Sequence, residues 1–384
     1  MVFRLGQNTP FNCDELKATD CFNSVYQCLN THLELPVRNT KIKKRVLHSI
    51  IAMSSERLSV HSLQSMENVL SETSMRHHLS KFSMQELENK AADLLLHPLD
   101  LLTEGKAYDF AIDVTLDPYY GKVTPENEKY ILRGKRKKST TRFYGYITLY
   151  TINRREKVTL AAFPVMAKTS LVDYLKQCLD VIRTSKFRIR VLCLDREFYS
   201  VDIFSYLKSE DVPFIVPTKR HGTEMKRILS RTSSGFEDYT IKSGEKSVDL
   251  TVAIAAINQM GKRKKKGRLA LGYIIHGINK SPKQIMKTYK HRFGIESSYR
   301  IRNYVRAKTT TRNPVIRYLY ALVSFLLKNV WMAIQWHFCS ETKRGPMVIE
   351  KDWFRFDHFR LMLWDAAKRR IGAVGVLRRF RSIS

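Results

Sequence analysis

Two aspartates lie where apolar stretches of the sequence are interrupted or end, and both have the chemistry of metal ligands. Asp113 lies inside the strand-like stretch 108–116, and Asp195 directly follows the apolar stretch 188–194. A carboxylate in a buried strand is costly unless a cation or hydrogen bonds hold it. Because Mg²⁺ prefers oxygen ligands, these aspartates are candidates for binding such an ion. For Asp113 taken alone, hydrogen bonding to the neighbouring backbone is an equal alternative.

A third carboxylate, Glu296, lies on a predicted long helix that begins at Pro282 and runs to about Arg306. Tyr289 and Arg292 lie seven and four residues before it, so at 3.6 residues per turn the three side chains share one helix face. Glu296 could therefore face a sheet while Arg292 reaches the same substrate. A single glutamate on a basic helix is usually a surface residue. The two upstream aspartates and the neighbouring arginine and tyrosine favour the functional interpretation.

The elements that must position these side chains alternate between strands and helices. After the first strand we predict, in chain order, strands at 141–152 and 157–165, a helix at 169–184, a strand at 188–194, a helix at 200–209 and a strand at 212–217. This mixed α/β order is that of a ribonuclease-H-like fold, whose first and fourth strands are neighbours in a sheet flanked by helices. The basic stretch 129–139 is predicted to be a loop.

The rest of the chain suggests a helical region, an insertion and a tail. Residues 1–103 are predicted to be mostly helical. Within them, 58–70 and 71–81 fit a DNA-binding helix-turn-helix whose second helix carries Arg76, with an ordinary helical hairpin as the alternative. The predicted catalytic domain spans 104–340 and contains a β-rich insertion at about 219–280, and a basic tail occupies 341–384.

The charge of the chain indicates the kind of partner. It has 67 Lys and Arg residues against 36 Asp and Glu, a net charge of +31, and is 43% hydrophobic. A folded protein this basic is typical of one that binds a polyanion, either nucleic acid or an anionic membrane surface. Two basic clusters are predicted to bind DNA phosphates, one with Lys135 and Arg136 and one with Lys264 and Lys265. For the second cluster a solvated loop is the alternative.

Cysteine usage and hydropathy indicate a cytoplasmic protein without a membrane span. The six cysteines include no C-x-x-C pair, and residues 1–30 do not resemble a signal peptide. The stretch 318–339 is long and apolar enough to cross a bilayer. Its charged Lys328, together with Gln335 and His337, favours a buried core helix instead.

Three motifs together resemble the DDE transposases of bacterial and archaeal insertion sequences. They are Ile-Asp-Val-Thr around Asp113 with Tyr-Tyr-Gly following, Leu-Asp-Arg-Glu-Phe around Asp195, and Tyr289-x2-Arg292-x3-Glu296. The third motif is similar to that of the subgroup with a Tyr-x2-Arg-x3-Glu-x6-Lys signature and a β insertion before the glutamate. The chain departs from this signature at its last position, which holds Asn303. Arg302 or Arg306 would have to supply the missing charge.

The resemblance, which spans residues 107–340, implies a ribonuclease-H-like core that cuts transposon ends and joins them to target DNA. Such chemistry uses two Mg²⁺ or Mn²⁺ ions. We expect Asp113 to be the bridging ligand, with Asp195 and Glu296 each completing one ion. Asp117 and Glu197 are reserve ligands.

The other two residues of the third motif are expected to contact DNA. Arg292 would bind a phosphate beside the scissile bond, because its planar guanidinium can contact two oxygens. Tyr289 would bond to the DNA backbone, stack on a displaced base, or simply pack. The implied partners are the double-stranded terminal inverted repeats of a transposon and a target DNA, bound by a homodimer.

Two other functions fit the same residues. A ribonuclease-H-like nuclease would use the same carboxylates to cut DNA without strand transfer. A DNA-binding protein derived from a transposase would have lost catalysis, an interpretation that Asn303 favours and the three acidic positions oppose.

Overall fold

The computed structural model describes residues 15–64, 66–153, 156–231, 233–260, 266–341, 348–349 and 352–373. The helices, in chain order, are α1 (Ala18–His32), α2 (Thr40–Glu56), α3 (Glu72–Leu79), α4 (Met84–Leu96), α5 (Leu171–Thr184), α6 (Val201–Ser209), α7 (Thr223–Ile228), α8 (Pro282–Lys290), α9 (Gly294–Asn303), α10 (Pro314–Phe338) and α11 (Phe356–Arg370). The strands are β1 (Ala107–Pro118), β2 (Ile131–Lys137), β3 (Thr140–Thr151), β4 (Thr159–Val165), β5 (Arg188–Leu194), β6 (Phe214–Pro217), β7 (Gly235–Ser243), β8 (Lys246–Met260), β9 (Lys266–His276), β10 (Ser340–Glu341) and β11 (Val348–Ile349).

The described residues form two compact units. One contains residues 102–117 and 145–297, and the other contains residues from 1–101, 118–144 and 298–384. The domain boundaries expected from the sequence remain predictions.

The first unit, residues 102–117 and 145–297, is built on a mixed sheet. Its strands are ordered β3-β1-β5-β6-β9-β8-β7, and β4 pairs with β3. β1 and β5 are parallel neighbours, as are β5 and β6. Helix α5 packs on β4 and β5, and α6 and α8 pack on the strands β7–β9. The predicted ribonuclease-H-like fold, a mixed sheet flanked by helices, is confirmed.

The β-rich insertion extends this sheet. Strand β9 pairs antiparallel with β6, from Phe214 opposite His276 to Pro217 opposite Tyr273, and β8 and β7 follow outward. The three strands form because their sequences are rich in β-branched and aromatic residues. The cluster with Lys264 and Lys265, between β8 and β9, lies outside the described residues.

The second unit is mainly helical. Helix α1 packs against α2, α4, α10 and α11, which gives these helices a common apolar core. The most apolar stretch of α10 is 83% buried, so this helix is a core helix, as its sequence predicts. Even Asn329 in this helix is buried, and its side chain donates a hydrogen bond to the Leu95 carbonyl at 3.0 Å.

Two local predictions for this second unit are wrong. Residues 58–70 do not form a helix; a 3₁₀ turn at His61–Leu63 replaces it. The hydroxyls of Ser59 and Ser62 accept hydrogen bonds from each other's backbone N–H groups, an arrangement that competes with helical hydrogen bonding. The basic stretch 129–139 is not a loop, because residues 131–137 form strand β2, which pairs with β3 at residues 131–133 and at Lys137.

Candidate active site

The pairing of β1 with β5 places two of the predicted carboxylates side by side. The last paired residues are Ile112 and Leu194, so Asp113 and Asp195 are the next residues on parallel neighbouring strands. Asp113 does not end its strand, since β1 continues to Pro118. The Asp113 side chain is 14% exposed and the Asp195 side chain 36% exposed. Each aspartate therefore lies immediately after the last paired residue of its strand.

Local structure explains the positions of both aspartates. The residues that precede them on β1 and β5 are fully buried and anchor the strands in the sheet. The Asp195 carboxylate caps the 3₁₀ turn Arg196–Phe198 and accepts a hydrogen bond from the Arg196 N–H at 2.6 Å. That turn also carries Glu197, which is exposed.

Arg292 lies between the two aspartates. Its Nη1 is 3.4 Å from Asp113 Oδ2, and its Nη2 is 3.6 Å from Asp195 Oδ1. The residue is only 5% exposed. Nevertheless, its Nε and Nη1 have no hydrogen-bond partner among the described residues. Buried donors without partners are costly, so this guanidinium has spare capacity for an anionic ligand.

Burial dominates the electrostatics of Asp113. It raises the pKa of the carboxyl group to about 6, while the Arg292 guanidinium acts in the opposite direction. The negative charges of Asp195 and Glu197 add smaller upward contributions. A buried carboxylate surrounded by other carboxylates is stabilised by a cation, and Arg292 is the cation that occupies this position.

Tyr289 lies beneath Arg292 and is not on the surface. It is 6% exposed, and its ring centroid is 5.6 Å from the Arg292 guanidinium carbon. On its other side the Tyr273 ring centroid is 5.3 Å away. Burial raises the pKa of its hydroxyl above the ordinary value. In this structure Tyr289 packs against Arg292 and Tyr273.

The long helix predicted from 282 to 306 is interrupted. As a result, Glu296 does not share a helix face with Tyr289 and Arg292. A 3₁₀ turn at His291–Phe293 follows α8, and α9 begins at Gly294. Glycine is about 1 kcal/mol less favourable than alanine in a helix interior, which favours a break here. Tyr289 and Arg292 point inward, but Glu296, in the first turn of α9, is exposed. In the described part of the chain no three His, Cys, Asp or Glu side chains are grouped so that they could hold a metal ion.

The residues present nevertheless fit a divalent cation at the paired aspartates. The donor set there is carboxylate oxygen, which Mg²⁺ and Mn²⁺ prefer. The positive charge of Arg292 already lies between Asp113 and Asp195. Of the reserve ligands, Glu197 is near enough to influence Asp113, whereas Asp117 is buried.

A groove of about 510 Å³ opens beside Asp195 and was not predicted. Apolar side chains line it, including Leu229 and Leu271, and Asp195, Arg196, Arg220 and Arg292 also border it. Arg196 could have been predicted to lie at the site, because it directly follows Asp195 in the sequence. Nothing in the local sequence places Arg220 at the groove, since the pairing of β6 with β9 brings it there.

The remaining predicted DNA contacts lie in the other unit. Arg76, on α3, is 43% exposed, and its Nε donates to Glu72 at 2.8 Å. Lys135 and Arg136 are exposed on β2. Arg302 is fully buried with its guanidinium carbon 4.6 Å from the Phe325 ring centroid, so it does not supply the surface charge that Asn303 lacks.

Comparison with family models and with solved structures gives matches, whereas comparison with curated proteins gives none. Residues 104–326, more than half of the chain, match the family model of the transposase DDE domain. A cryo-EM structure of piggyBac transposase, in a synaptic complex with hairpin DNA, matches with a TM-score of 0.54 at 12% sequence identity, covering 93% of this chain and 80% of that one. At this identity the likeness shows the fold alone. No curated protein is significantly similar.

Proposed function

Because the chain belongs to the family of transposases with a DDE domain, we propose that it cuts DNA at transposon ends and joins the freed 3′ ends to target DNA. Family membership supports an enzyme that acts on DNA. The observation that carries the finer proposal is the pair Asp113 and Asp195 with Arg292 between them. This arrangement provides ligands for cations and a donor for phosphate at one place.

The three acidic residues have distinct roles in this proposal. Asp113, the most buried, would be the ligand shared between the divalent cations, and Asp195 would be a further ligand. Glu296 would add a carboxylate from the first turn of α9. Bound Mg²⁺ or Mn²⁺ supplies activation of the attacking oxygen and stabilisation of the leaving 3′ oxygen. The role of Glu296 requires its exposed side chain to turn toward the aspartates when DNA is bound.

Arg292 holds the phosphate next to the scissile bond. Released from its ion pairs with Asp113 and Asp195, its guanidinium can donate to two phosphate oxygens in the planar geometry that arginine favours. Tyr289 packs beneath the guanidinium and keeps it aimed at that phosphate. On DNA binding, the Arg292 guanidinium would exchange its contacts with the carboxylates for contacts with the phosphate.

The proposed substrates are the double-stranded inverted repeats at the transposon ends and a target DNA, bound by a homodimer. The net charge of +31 supports a polyanionic partner. The subgroup with the Tyr-x2-Arg-x3-Glu-x6-Lys signature is also part of the proposal. Helix α3, with Arg76, is the proposed contact to the repeat sequence.

The test is cleavage of linear DNA that carries the inverted repeats flanking the gene, in Mg²⁺, Mn²⁺ or EDTA. We expect metal-dependent cuts at the repeat ends, and no cuts with Glu296→Gln. Binding of the repeats without cutting in either metal would refute the catalytic proposal and favour an inactive DNA-binding descendant.

A second assay separates transposition from simple nuclease activity. Pre-cut repeat ends with a free 3′-OH are incubated with a supercoiled plasmid and Mg²⁺. We expect joined products that link the labelled end to the plasmid. Cutting at the ends without any joined product would identify a nuclease that lacks strand transfer.

A further inference from the structure

The hairpin of β2 and β3 forms a basic two-stranded ribbon that the chemistry of the active site does not use. Leu132 pairs with Phe143 and Arg133 with Arg142, and Lys137 pairs with Thr140 across the turn. The two turn residues, Lys138 and Ser139, have φ values of 48° and 65°. Positive φ at both positions is the geometry of a tight hairpin turn, and it is strained for residues other than glycine or asparagine.

The charge of this ribbon is not compensated by carboxylates among the described residues. Its exposed cations are Arg133, Lys135, Arg136, Lys137, Lys138 and Arg142. None of them forms an ion pair with a carboxylate in the described part of the chain. Two of them, Arg133 and Arg142, are directly opposite each other on the two strands, a placement that destabilises an isolated hairpin. A polyanionic partner would relieve this repulsion.

The base of the ribbon is fixed firmly. The Arg317 guanidinium carbon lies 4.9 Å from the ring centroid of Tyr119 and 5.1 Å from that of Tyr144. Asn127 is fully buried and donates a hydrogen bond to the Tyr119 hydroxyl at 3.1 Å. Next to the turn, Thr140 Oγ1 donates to the Tyr119 carbonyl at 2.8 Å. The ribbon is therefore a braced arm, not a loose loop.

An exposed aromatic side chain accompanies the cations. Tyr120 is 68% exposed, yet its hydroxyl donates a hydrogen bond to the Lys138 carbonyl at 2.7 Å. This bond holds the ring near the turn with most of its surface available. A fixed ring beside a row of cations is a combination suited to contact with nucleic acid.

We infer that the β2–β3 hairpin, together with Tyr120, is an arm that binds in the major groove of double-stranded DNA. A two-stranded ribbon has the width that this groove accepts, and cations on both strands can reach the phosphates on either side. The inference rests on the proposed function, since it assumes a DNA substrate. The arm would provide a DNA contact that does not involve the carboxylates and that requires double-stranded DNA.

The test compares two double variants of the full-length chain, each lacking two exposed cations near a hairpin turn. The first is Lys135→Ala with Arg136→Ala on the arm. The matched control is Lys242→Ala with Lys246→Ala beside the turn of the β7–β8 hairpin, where Lys246 already pairs with Asp202 at 2.7 Å. Affinity for a blunt duplex and for a single strand of equal length is measured by fluorescence anisotropy over a range of salt concentrations.

For the arm variant we expect the slope of log affinity against log salt on duplex to become shallower by about 2, or about 0.9 for each phosphate that the protein no longer neutralises. The control should keep the parental slope. Dimethyl sulfate methylates guanine N7 in the major groove, and we expect the parental protein to protect sites that the arm variant leaves reactive. An equal decrease in affinity for duplex and single strand, or an unchanged slope, would overturn the inference.

Failure of the inference and failure of the proposed function give different results. If the parental protein cuts repeat ends but the arm variant binds duplex like the control, only the groove-binding arm is wrong. If the parental protein neither binds nor cuts DNA, the proposed function itself fails. Thermal unfolding of both variants, expected to match the parent because all four positions are exposed, checks that the fold is intact.

Discussion

The guanidinium of Arg292 separates the carboxylates of Asp113 and Asp195, at 3.4 Å from the first and 3.6 Å from the second. In this arrangement the positive charge that the aspartates need comes from the protein itself. A divalent cation bound by the same carboxylates must compete with Arg292. The single positive charge of Arg292 therefore offsets only part of the negative charge of the two aspartates.

Replacing Arg292 with alanine should make metal binding tighter in the absence of DNA. Removal of a cation within 4 Å of both carboxylates increases their attraction for Mn²⁺, by about 10-fold if the change is worth about 1.4 kcal/mol. Electron paramagnetic resonance of free Mn²⁺ measures this affinity directly. Arg190→Ala is the matched control, because it removes the 2.6 Å pair with Asp109 on the same two strands. Equal Mn²⁺ affinity in parent and Arg292→Ala would show that Arg292 does not compete with the metal.

Asp113→Asn should change how stability depends on pH. Burial raises the native pKa of Asp113 to about 6, above the value of about 3.9 in an unfolded chain. Between these values the native state binds more protons than the unfolded state, so the contribution of Asp113 to stability falls as pH rises. The unfolding free energy of the parent relative to Asp113→Asn should fall by at most about 3 kcal/mol from pH 4 to pH 7. Urea denaturation across this range measures the difference, and a constant difference would contradict the raised pKa.

Glu296→Gln should abolish DNA cutting without affecting stability. The side chain is exposed, so we expect the unfolding free energy to stay within about 0.5 kcal/mol of the parent. Cutting should fall at least about 100-fold, since even indirect partners of a metal can cost that much. Glu224→Gln, at another exposed position early in a helix, serves as the control for assays of both cutting and unfolding. Normal cutting by Glu296→Gln would remove Glu296 from the proposed ligands.

Gly272→Ala should destabilise the junction between β6 and β9. A Cβ atom at this position would lie 2.6 Å from Leu229 Cδ2 and 2.7 Å from Thr218 Oγ1. Overpacking of this kind costs about 1–3 kcal/mol. Gly134→Ala is the control, because its Cβ would be 3.8 Å from the nearest atom of Phe143. If denaturant unfolding shows equal stability for the two variants, the close contact at Gly272 is not present in solution.

Much of the sheet could be predicted from the sequence, because its strands are apolar runs that end in polar or turn residues. The neighbouring positions of Asp113 and Asp195 followed from the order of strands and helices together with the ribonuclease-H-like fold that this order indicates. Strand β2 could not be predicted in this way, since Lys135 and Arg136 belong to a stretch with the composition of a basic loop. Its conformation depends on pairing with β3, and this pairing cannot be inferred from the local sequence.

The site was harder to predict around the third motif. Helical spacing put Tyr289, Arg292 and Glu296 on one face, but that argument assumed an unbroken helix. The 3₁₀ turn at His291–Phe293 changes the directions of the side chains, so that Arg292 points inward and Glu296 outward. A single glycine at 294 is too weak a signal to predict such a break.

The pairing of β9 with β6 has a consequence for attempts to shorten this protein. All four residues of β6 are buried, and β9 covers one side of its backbone hydrogen-bonding groups. Excision of the strands β7–β9 would leave a hydrophobic strand with an open edge, which readily pairs with other copies of the chain. The shortened enzyme should therefore aggregate, and its solubility could be restored only by another strand or by charged residues at that edge.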